Sequence, residues 1–384
     1  MNDAASRPGR LTRMKLFEAR RDGYWTCRIP GLLGAGPAVL ATCEARPGAG
    51  GDYDDNDLLL RRSVDGGATW SQPRPLARHE TYGPGPVSNL DLIDDPPAVH
   101  GLFCHDYARV FYLRSDDAGA TFTPPVDVTT AFEAFRDDYP WRVVATGPGH
   151  GLRLRNGRLI VPVWMSDGTG GEFGPGRRGH RPSAVSVVYS DDRGRTWRRG
   201  DIVARTDARV RHPSEGVAVE LADGRVLLNV RSESDEHRRL VSVSADGATG
   251  WSAPRFEEAL REPVCMASML RLSWPGAGRR GRVLFANPDT LDQTMRAWPA
   301  ARDRKNLTVR LSYDDGATWP VAKVLEAGPS GYSDLAAAPD GTILCLYECG
   351  QGGHMCDTAN LTLARFDLAW LTDGADRLEG ATAR

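Results

Sequence analysis

The chain has 384 residues, and its 48 lysines and arginines nearly balance its 50 aspartates and glutamates, which leaves a formal net charge of −2. A charge this close to neutral argues against a protein that binds nucleic acid through overall positive charge. No run of about 18 apolar residues occurs, so no membrane-spanning helix is expected. Residues 1–14 are polar and arginine-rich, without the apolar centre of a secretory signal, which predicts a cytoplasmic location.

The rest of the chain is predicted to form short strands joined by turns. Apolar segments of strand length occur at residues 159–164, 226–230, 282–286 and 342–347. An Asp-Gly dipeptide, which favours a tight turn, precedes the second and the fourth of them. Residues 127–138 predict a short helix within a loop. We therefore expect an all-β protein in which residues 1–14 are an N-terminal extension and residues 15–384 form a single domain.

One pattern repeats along the chain: Ser, any residue, Asp, any residue, Gly, any residue, Thr and an aromatic residue. Four copies and one degraded copy, the fourth in order, start 52 to 75 residues apart, at Ser63, Ser115, Ser190, Ser244 and Ser312. The Asp can accept backbone N–H bonds in a turn, the Gly can adopt a positive φ, and the aromatic ring can pack between sheets. This spacing predicts a closed ring of four-stranded antiparallel blades, in which these aspartates serve folding and not catalysis.

The segment Tyr24-Trp-Thr-Cys-Arg28-Ile-Pro30, together with these repeats, resembles the sialidase (neuraminidase) superfamily. The resemblance covers residues 15–373. It implies a six-bladed β-propeller with an active site at one end of the central channel. It also implies a retaining exo-α-sialidase, which removes terminal α-ketosidic sialic acid from glycoconjugates with a tyrosine nucleophile and an aspartate acid/base. Neither a cofactor nor a metal is implied.

Three arginines hold the substrate carboxylate in this superfamily. Guanidinium groups suit that task because each offers paired planar donors and stays charged at any working pH. The resemblance assigns the role to Arg28, Arg231 and Arg304. Arg302 and Arg310 are alternatives for the third position, but Arg310 lies on the strand that leads into a repeat, so we prefer Arg304.

The nucleophile of the superfamily is a tyrosine, which avoids the repulsion that a carboxylate would meet from an anionic substrate. Tyr332 in Gly331-Tyr-Ser-Asp matches that position. Because a phenol has an ordinary pKa of about 10, it needs a base partner at neutral pH. Glu215, which precedes Arg231 by 16 residues, matches that partner. Glu220 is the alternative, although its place in a strand pattern favours a structural role.

The general acid/base is expected in the loop at residues 50–57, which holds four aspartates. Asp52 aligns with the superfamily aspartate that protonates the leaving oxygen and then activates water. Asp54 and Asp55 are the alternatives within the same loop.

Three further positions follow from the resemblance. Glu348 matches a glutamate that orients the first arginine, and Arg46 resembles an arginine near C4 of the sugar; a structural ion pair is the alternative for both. His150, in Gly147-Pro-Gly-His-Gly151, is either a contact at the active-site end or a structural residue of its loop.

Asn89, or Asp91 after a shift, stands where many bacterial members have an aspartate that helps to form the N-acetyl pocket. An asparagine both donates and accepts hydrogen bonds, so the substituent at C5 of the sugar is open. The expected partners are therefore sialylated glycans or glycans of another ulosonic acid, deaminated neuraminic acid or Kdo. A non-catalytic propeller that binds carbohydrate is the remaining alternative.

Overall fold

The computed structural model describes residues 9–294, 299–351 and 358–378, and these residues form an all-β protein. The chain begins with β1 (Leu11–Glu18), which joins the last sheet. Sheet 1 follows, in the order β2-β3-β4-β5, with β2 (Thr26–Ala35), β3 (Ala38–Arg46), β4 (Asp57–Ser63) and β5 (Arg74–Ala77).

Sheets 2 and 3 occupy the middle of the chain. Sheet 2 contains β6 (Val87–Asp95), β7 (Ala98–His105), β8 (Arg109–Ser115) and β9 (Val126–Asp127), with β11 (Gly149–His150) parallel to β6. Sheet 3 has the order β10-β13-β14-β15, with β12 beside β13 and β16 beside β14; its strands are β10 (Val143–Thr146), β12 (Leu152–Arg153), β13 (Leu159–Ser166), β14 (Ser183–Ser190), β15 (Arg198–Arg199) and β16 (Ala204–Arg205).

Two further sheets complete the described part of the chain. Sheet 4 has the order β17-β18-β19-β20, with β17 (Gly216–Glu220), β18 (Val226–Val230), β19 (Arg238–Ser244) and β20 (Arg255–Arg261). Sheet 5 has seven strands in the order β1-β26-β25-β24-β23-β22-β21, with β21 (Ser268–Ser273), β22 (Arg282–Pro288), β23 (Lys305–Ser312), β24 (Val321–Ala337), β25 (Ile343–Gln351) and β26 (Thr358–Phe366). The first half of β24 pairs with β23 and its second half pairs with β25.

Helical structure in the described residues is confined to short turns, at His79–Thr81, Thr130–Glu133, Ala134–Asp137 and Leu368–Leu371. The second and third of these lie inside the segment 127–138, so the predicted short helix is confirmed. Among the described helices, none has the length and apolar character needed to cross a membrane.

The two ends of the described chain meet in sheet 5. Leu11 in β1 lies opposite Phe366 in β26, and the antiparallel pairing continues to Glu18. Residues 11–14, which the sequence analysis assigned to an N-terminal extension, therefore lie in a paired strand, and Leu11 and Met14 pack against the core. Residues 1–8 of that extension lie outside the described residues.

The apolar core lies between neighbouring sheets. The central strands are buried on both faces; every residue of β13, for example, is buried. Successive clusters join sheet 1 to sheet 2, sheets 2 and 3 to sheet 4, and sheet 4 to the β21–β22 part of sheet 5. A last cluster joins the β25–β26 part of sheet 5 back to sheet 1, through Leu344 and Leu361 against Leu32 and Val39. Face-to-face packing thus closes the sheets into a ring, which buries strands that are apolar on both faces.

The repeated Asp motif forms the turn that its residue types predict. In the copy at Ser115, the Asp117 carboxylate accepts hydrogen bonds from the Ser115 hydroxyl (2.7 Å), the Thr121 N–H (2.8 Å) and the Thr121 hydroxyl (2.6 Å). Gly119 has a φ of 79°, and a Cβ atom there would lie 2.5 Å from Leu40 of the neighbouring sheet. Glycine is therefore required both for the turn and for the contact between sheets. In the degraded copy, the Asp246 carboxylate likewise accepts hydrogen bonds from the Thr249 N–H and the Thr249 hydroxyl.

These turns predict an acid-sensitive fold. Hydrogen bonds from Thr69 and Thr121 lower the pKa of Asp65 and Asp117 to about 2. A carboxylate whose pKa is lower in the folded state stabilises the fold above its unfolded pKa, and that stabilisation is lost as the pH falls through the folded value. We expect the melting temperature to fall steadily between about pH 4 and pH 2. Calorimetry should show a shallower dependence for the double variant Asp65→Asn/Asp117→Asn; an unchanged slope would contradict this assignment.

Candidate active site

A pocket of about 430 Å³ lies at the end of the ring where the innermost strands are irregular. The pairing register shifts between Arg28 and Gly31 in β2, between Ser88 and Asp91 in β6, and between Ser330 and Ser333 in β24. Ile29 and Asn89, inside the first two shifts, have φ values of 56° and 54°. Such conformations are uncommon for residues other than glycine, and bulges of this kind re-aim side chains. Each irregular strand contributes a side chain to the pocket wall.

Glu348 holds Arg28 at the floor of the pocket. Its two carboxylate oxygens accept hydrogen bonds from Arg28 Nε (3.0 Å) and Nη2 (3.3 Å). The same carboxylate accepts the backbone N–H groups of Ile29 (3.3 Å) and Tyr332 (3.1 Å). All these groups are buried. One glutamate therefore orients the guanidinium and ties β25 to two strands that carry predicted site residues.

Tyr332, Glu215 and Arg231 form a connected cluster in the pocket. The Tyr332 hydroxyl donates a hydrogen bond to Glu215 and accepts one from Arg231 Nη1 (2.6 Å). Arg231 Nη1 also lies 2.5 Å from Glu215 Oε2. Burial raises the pKa of Tyr332 well above its usual value, although Arg231 acts in the opposite direction. The phenol is therefore protonated at neutral pH, and its proton points at a carboxylate that can accept it.

Of the three arginines considered for the third position, Arg304 reaches the pocket. Its guanidinium carbon lies 5.0 Å from the centre of the Tyr332 ring, and Nη2 donates to the Val264 carbonyl (2.8 Å). Arg28 approaches the same ring at 5.3 Å. Arg302 instead contacts His237, and Arg310 bonds to Asp289 (2.7 Å), both away from the pocket wall. The pocket therefore contains Arg28, Arg231 and Arg304, with their cationic groups around one phenol.

The acid loop, which we define as residues 47–56, brings a single aspartate to the pocket. Asp52 lines it, whereas Asp54 accepts the Gly51 N–H (2.8 Å) and Asp55 accepts the Gly85 N–H (2.9 Å). The Asp54 carboxylate thus closes a turn within the loop, and the Asp55 carboxylate ties the loop to the segment that precedes β6.

Arg46 controls the charge of Asp52. Arg46 Nη1 lies 2.7 Å from Asp52 Oδ1, and its other nitrogens bond to Glu44 at 2.6 and 3.0 Å. Burial acts to raise the pKa of the Asp52 carboxyl, but Arg46 outweighs it, so this pKa lies well below its ordinary range. Asp52 is therefore ionised at neutral pH.

Asn89 lines the pocket, but its side chain is turned toward its own strand. Its amide Nδ2 donates to the Ser88 hydroxyl (3.2 Å), and its backbone N–H donates to Glu44 (2.8 Å). Asp91, the alternative at this position, is buried and does not line the pocket. Glu44 thus links Asn89 to Arg46. No motif pointed to Glu44; its position two residues before Arg46 on β3 was the available signal.

Two other candidates have structural partners. His150 Nδ1 lies 2.7 Å from Asp334, beneath the pocket, and His150 does not line it. Glu220 bonds to Arg155 on the neighbouring sheet (2.9 Å). The side-chain contacts thus favour the structural alternatives for both residues.

An aromatic wall also lines the pocket, and no sequence motif marked it. It consists of Tyr107, Trp164, Phe173 and His180, which line the pocket, and of Tyr53, whose ring contacts three of them; the rings in contact lie 4.5 to 6.2 Å apart. Trp164 Nε1 and His180 Nε2 are buried, and neither has a hydrogen-bond partner in the protein. Burial lowers the pKa of His180 to about 4, so its ring is neutral at neutral pH. Phe173 and His180 come from the glycine-rich segment 167–181 between β13 and β14, whose composition was the available signal.

The comparisons with known proteins identify the family. The model of the BNR repeat-like domain matches residues 99–345. A sialidase of Micromonospora viridifaciens is 32% identical, over 91% of this chain and 53% of its own length. Human sialidase-3 is 27% identical, over 87% of this chain and 88% of its own length.

The chain spans about half to three fifths of the sialidases from Micromonospora viridifaciens and Bacteroides fragilis. Among solved structures, Hadza microbial sialidase Hz136 has a TM-score of 0.72 at 24% identity, over 92% of this chain and 68% of that one. Trypanosoma rangeli sialidase has a TM-score of 0.71 at 20% identity, over 94% of this chain and 60% of that one. These likenesses show the fold, and sialidase structures are β-propellers. The chain therefore belongs to the BNR repeat-like family and to the sialidase superfamily.

Proposed function

We propose that this chain is a retaining exo-α-sialidase. The observation that carries the proposal is the hydrogen-bonded cluster of Tyr332, Glu215 and Arg231 in a pocket that also contains Arg28 and Arg304. A carbohydrate-binding protein needs cations for an anionic sugar, but it does not need a buried phenol whose proton points at a glutamate. The curated relatives named sialidases support the same activity.

The proposed binding step places the substrate carboxylate among Arg28, Arg231 and Arg304. Arg28 and Arg304 lie within 5.3 Å of the Tyr332 ring centre, and Arg231 bonds to its hydroxyl. A ketosidic carbon attached to that carboxylate would therefore lie near the phenol oxygen. The three positive charges favour anionic ketosides over neutral sugars.

In the proposed first chemical step, the Tyr332 oxygen attacks C2 of the sugar while Glu215 accepts the phenol proton. The bond from C2 to the leaving oxygen breaks, and that oxygen takes its electron pair and a proton from Asp52. Arg231 stabilises the developing negative charge on the phenol oxygen through its 2.6 Å contact. The product of this step is a glycosyl–tyrosine intermediate.

In the proposed second step, the Asp52 carboxylate removes a proton from water, and the water oxygen attacks C2 from the side that the leaving group has vacated. The electron pair of the C2–tyrosine bond returns to the phenol oxygen, which recovers its proton from Glu215. Two displacements retain the anomeric configuration. The low pKa of Asp52 suits this second half of the reaction, because the carboxylate must be ionised to accept a proton.

The aromatic wall is proposed to receive the part of the sugar farthest from its carboxylate. Trp164 Nε1 is a donor only, and it is buried without a partner among apolar rings. An N-acyl group offers such a wall both a carbonyl acceptor and a methyl group. The wall therefore favours N-acetylneuraminic acid over deaminated neuraminic acid and Kdo, which lack that group.

For the architecture, we propose six four-stranded blades within one catalytic domain, which residues 15–384 form together with the start of β1 at Leu11. The proposal is supported by the division of β24, whose halves pair with different strands and split the seven-stranded sheet into two groups of four that share β24. Sheets 2 and 3 each contain a path of four strands with additional edge pairings.

The experiment that tests this function is a set of initial rates on the methylumbelliferyl α-ketosides of N-acetylneuraminic acid, deaminated neuraminic acid and Kdo. Tyr332→Phe serves as the blank. We expect cleavage of the first substrate to dominate. Dominant cleavage of either other sugar would keep the mechanism and change the substrate. Absence of cleavage by the wild-type chain, with binding of the free sugar, would instead favour the non-catalytic carbohydrate-binding alternative.

A further inference from the structure

Trp25 is an exposed aromatic side chain next to the acid loop, and the proposed mechanism does not use it. Of the large apolar side chains in the described residues, four are exposed, and Trp25, at 41%, is the aromatic one; the others are Val64, Val126 and Val324. Exposing an indole costs hydrophobic free energy, so an indole that is held in place and left open is suited to contact with another molecule.

Trp25 lies close to the residues that surround Asp52, the proposed acid for the leaving group. Its backbone N–H donates to the Arg46 carbonyl (2.8 Å), and a Cβ atom on Gly50 would lie 3.5 Å from Trp25 Cδ1. Arg46 and Gly50 are the residues that contact and flank Asp52. Because an acid must reach the glycosidic oxygen, the group that leaves has to lie on the Asp52 side of the pocket. Trp25 is therefore next to the space that this group would occupy.

Arg20 holds the indole in a defined orientation. The guanidinium carbon of Arg20 lies 3.4 Å from the centre of the Trp25 ring, and Arg20 Nη1 donates to the Trp25 carbonyl (2.5 Å). A stacked cation of this kind restrains one face of the ring. An aromatic side chain that is ordered before binding loses little conformational entropy when a ligand stacks on it.

We propose that Trp25 is a stacking platform for the sugar that leaves, the pyranose ring attached to the sialic acid in an oligosaccharide. This inference rests on the proposed function and extends it from the glycone to the leaving group. The C–H face of a pyranose is apolar and can pack on an indole, while its hydroxyl groups stay in water. Trp25 would thereby raise the specificity for oligosaccharide substrates over substrates with a minimal leaving group.

The test compares two substrates that share the same glycone. One is 3′-sialyllactose, which has a sugar in the leaving group, and the other is α-sialyl fluoride, whose leaving group is a single atom. We expect Trp25→Ala to lower kcat/KM for sialyllactose about 5- to 10-fold, the effect of losing one aromatic stacking contact. The rate of fluoride release should change less than about 2-fold, and Trp25→Phe should restore part of the loss.

The matched control is Val64→Ala, since Val64 is 66% exposed and lies at the other end of β4 from the acid loop. It should leave both rates unchanged. An equal loss of Trp25→Ala activity on both substrates would overturn the inference, because it would indicate support of the pocket itself. Unchanged activity on both would also overturn it. If the wild-type chain cleaves neither substrate, the proposed function fails and the stacking role fails with it. This outcome can be told from a failure of the stacking role alone, because in that case the wild-type chain is active.

Discussion

Replacing Tyr332 by phenylalanine is expected to lower kcat by about 10³-fold or more on every α-ketoside that the wild-type chain cleaves. The variant removes one oxygen atom, which the mechanism requires to form a bond with C2. The neighbouring pair of Arg231 and Glu215 keeps its own 2.5 Å contact, so the pocket retains its charges. Initial rates and a covalent trapping experiment with a 2,3-difluorinated sugar, read by mass spectrometry, measure the effect.

The control for this substitution is Tyr347→Phe. Tyr347 is also buried, but its hydroxyl lies 3.4 Å from Glu326 and it does not line the pocket. Both variants should lose only about 1 kcal/mol of unfolding free energy in urea, the usual net contribution of a hydrogen bond. Near wild-type kcat in Tyr332→Phe, or a trapped sugar on another residue, would overturn the assignment of the nucleophile.

Replacing Asp52 by asparagine is expected to lower kcat/KM on sialyllactose by about 10²- to 10⁴-fold. The loss should be smaller on an aryl ketoside, because a phenolic leaving group needs less protonation than a sugar hydroxyl. Since Arg46 holds the pKa of Asp52 below its ordinary range, the protonated fraction that the first step uses grows as the pH falls. Activity of the wild-type chain on sialyllactose should therefore rise from neutral toward mildly acidic pH, and Asp52→Asn should lose this rise.

Asp54→Asn and Asp55→Asn are the matched controls within the same loop. Their carboxylates accept backbone N–H groups and lie off the pocket wall, so each variant should keep kcat/KM within about 3-fold of the wild type. A larger loss in either of them than in Asp52→Asn would transfer the acid role to that residue.

The comparison of Asp52 with its neighbours illustrates which parts of the site could be predicted. Resemblance favours Asp52, yet composition does not separate four aspartates within six residues. The structure separates them by their hydrogen bonds, since only Asp52 turns toward the pocket and Arg46. The same holds for Arg304 against Arg302 and Arg310, whose side chains point to different partners although they lie close in the chain.

Elements held by local interactions can be recognised from the order of residues alone. Each Asp turn is closed by bonds among residues at most five apart, as between Asp117 and Thr121, so its pattern can be recognised without a partner sheet. Contacts that depend on packing between distant segments become visible only in the folded protein. The aromatic wall joins Trp164 of β13 to His180 of a glycine-rich loop and Tyr53 of the acid loop, and Arg28 meets Glu348 across 320 residues. Closure of the ring brings such residues together, and no local pattern in the sequence predicts which side chains will be in contact.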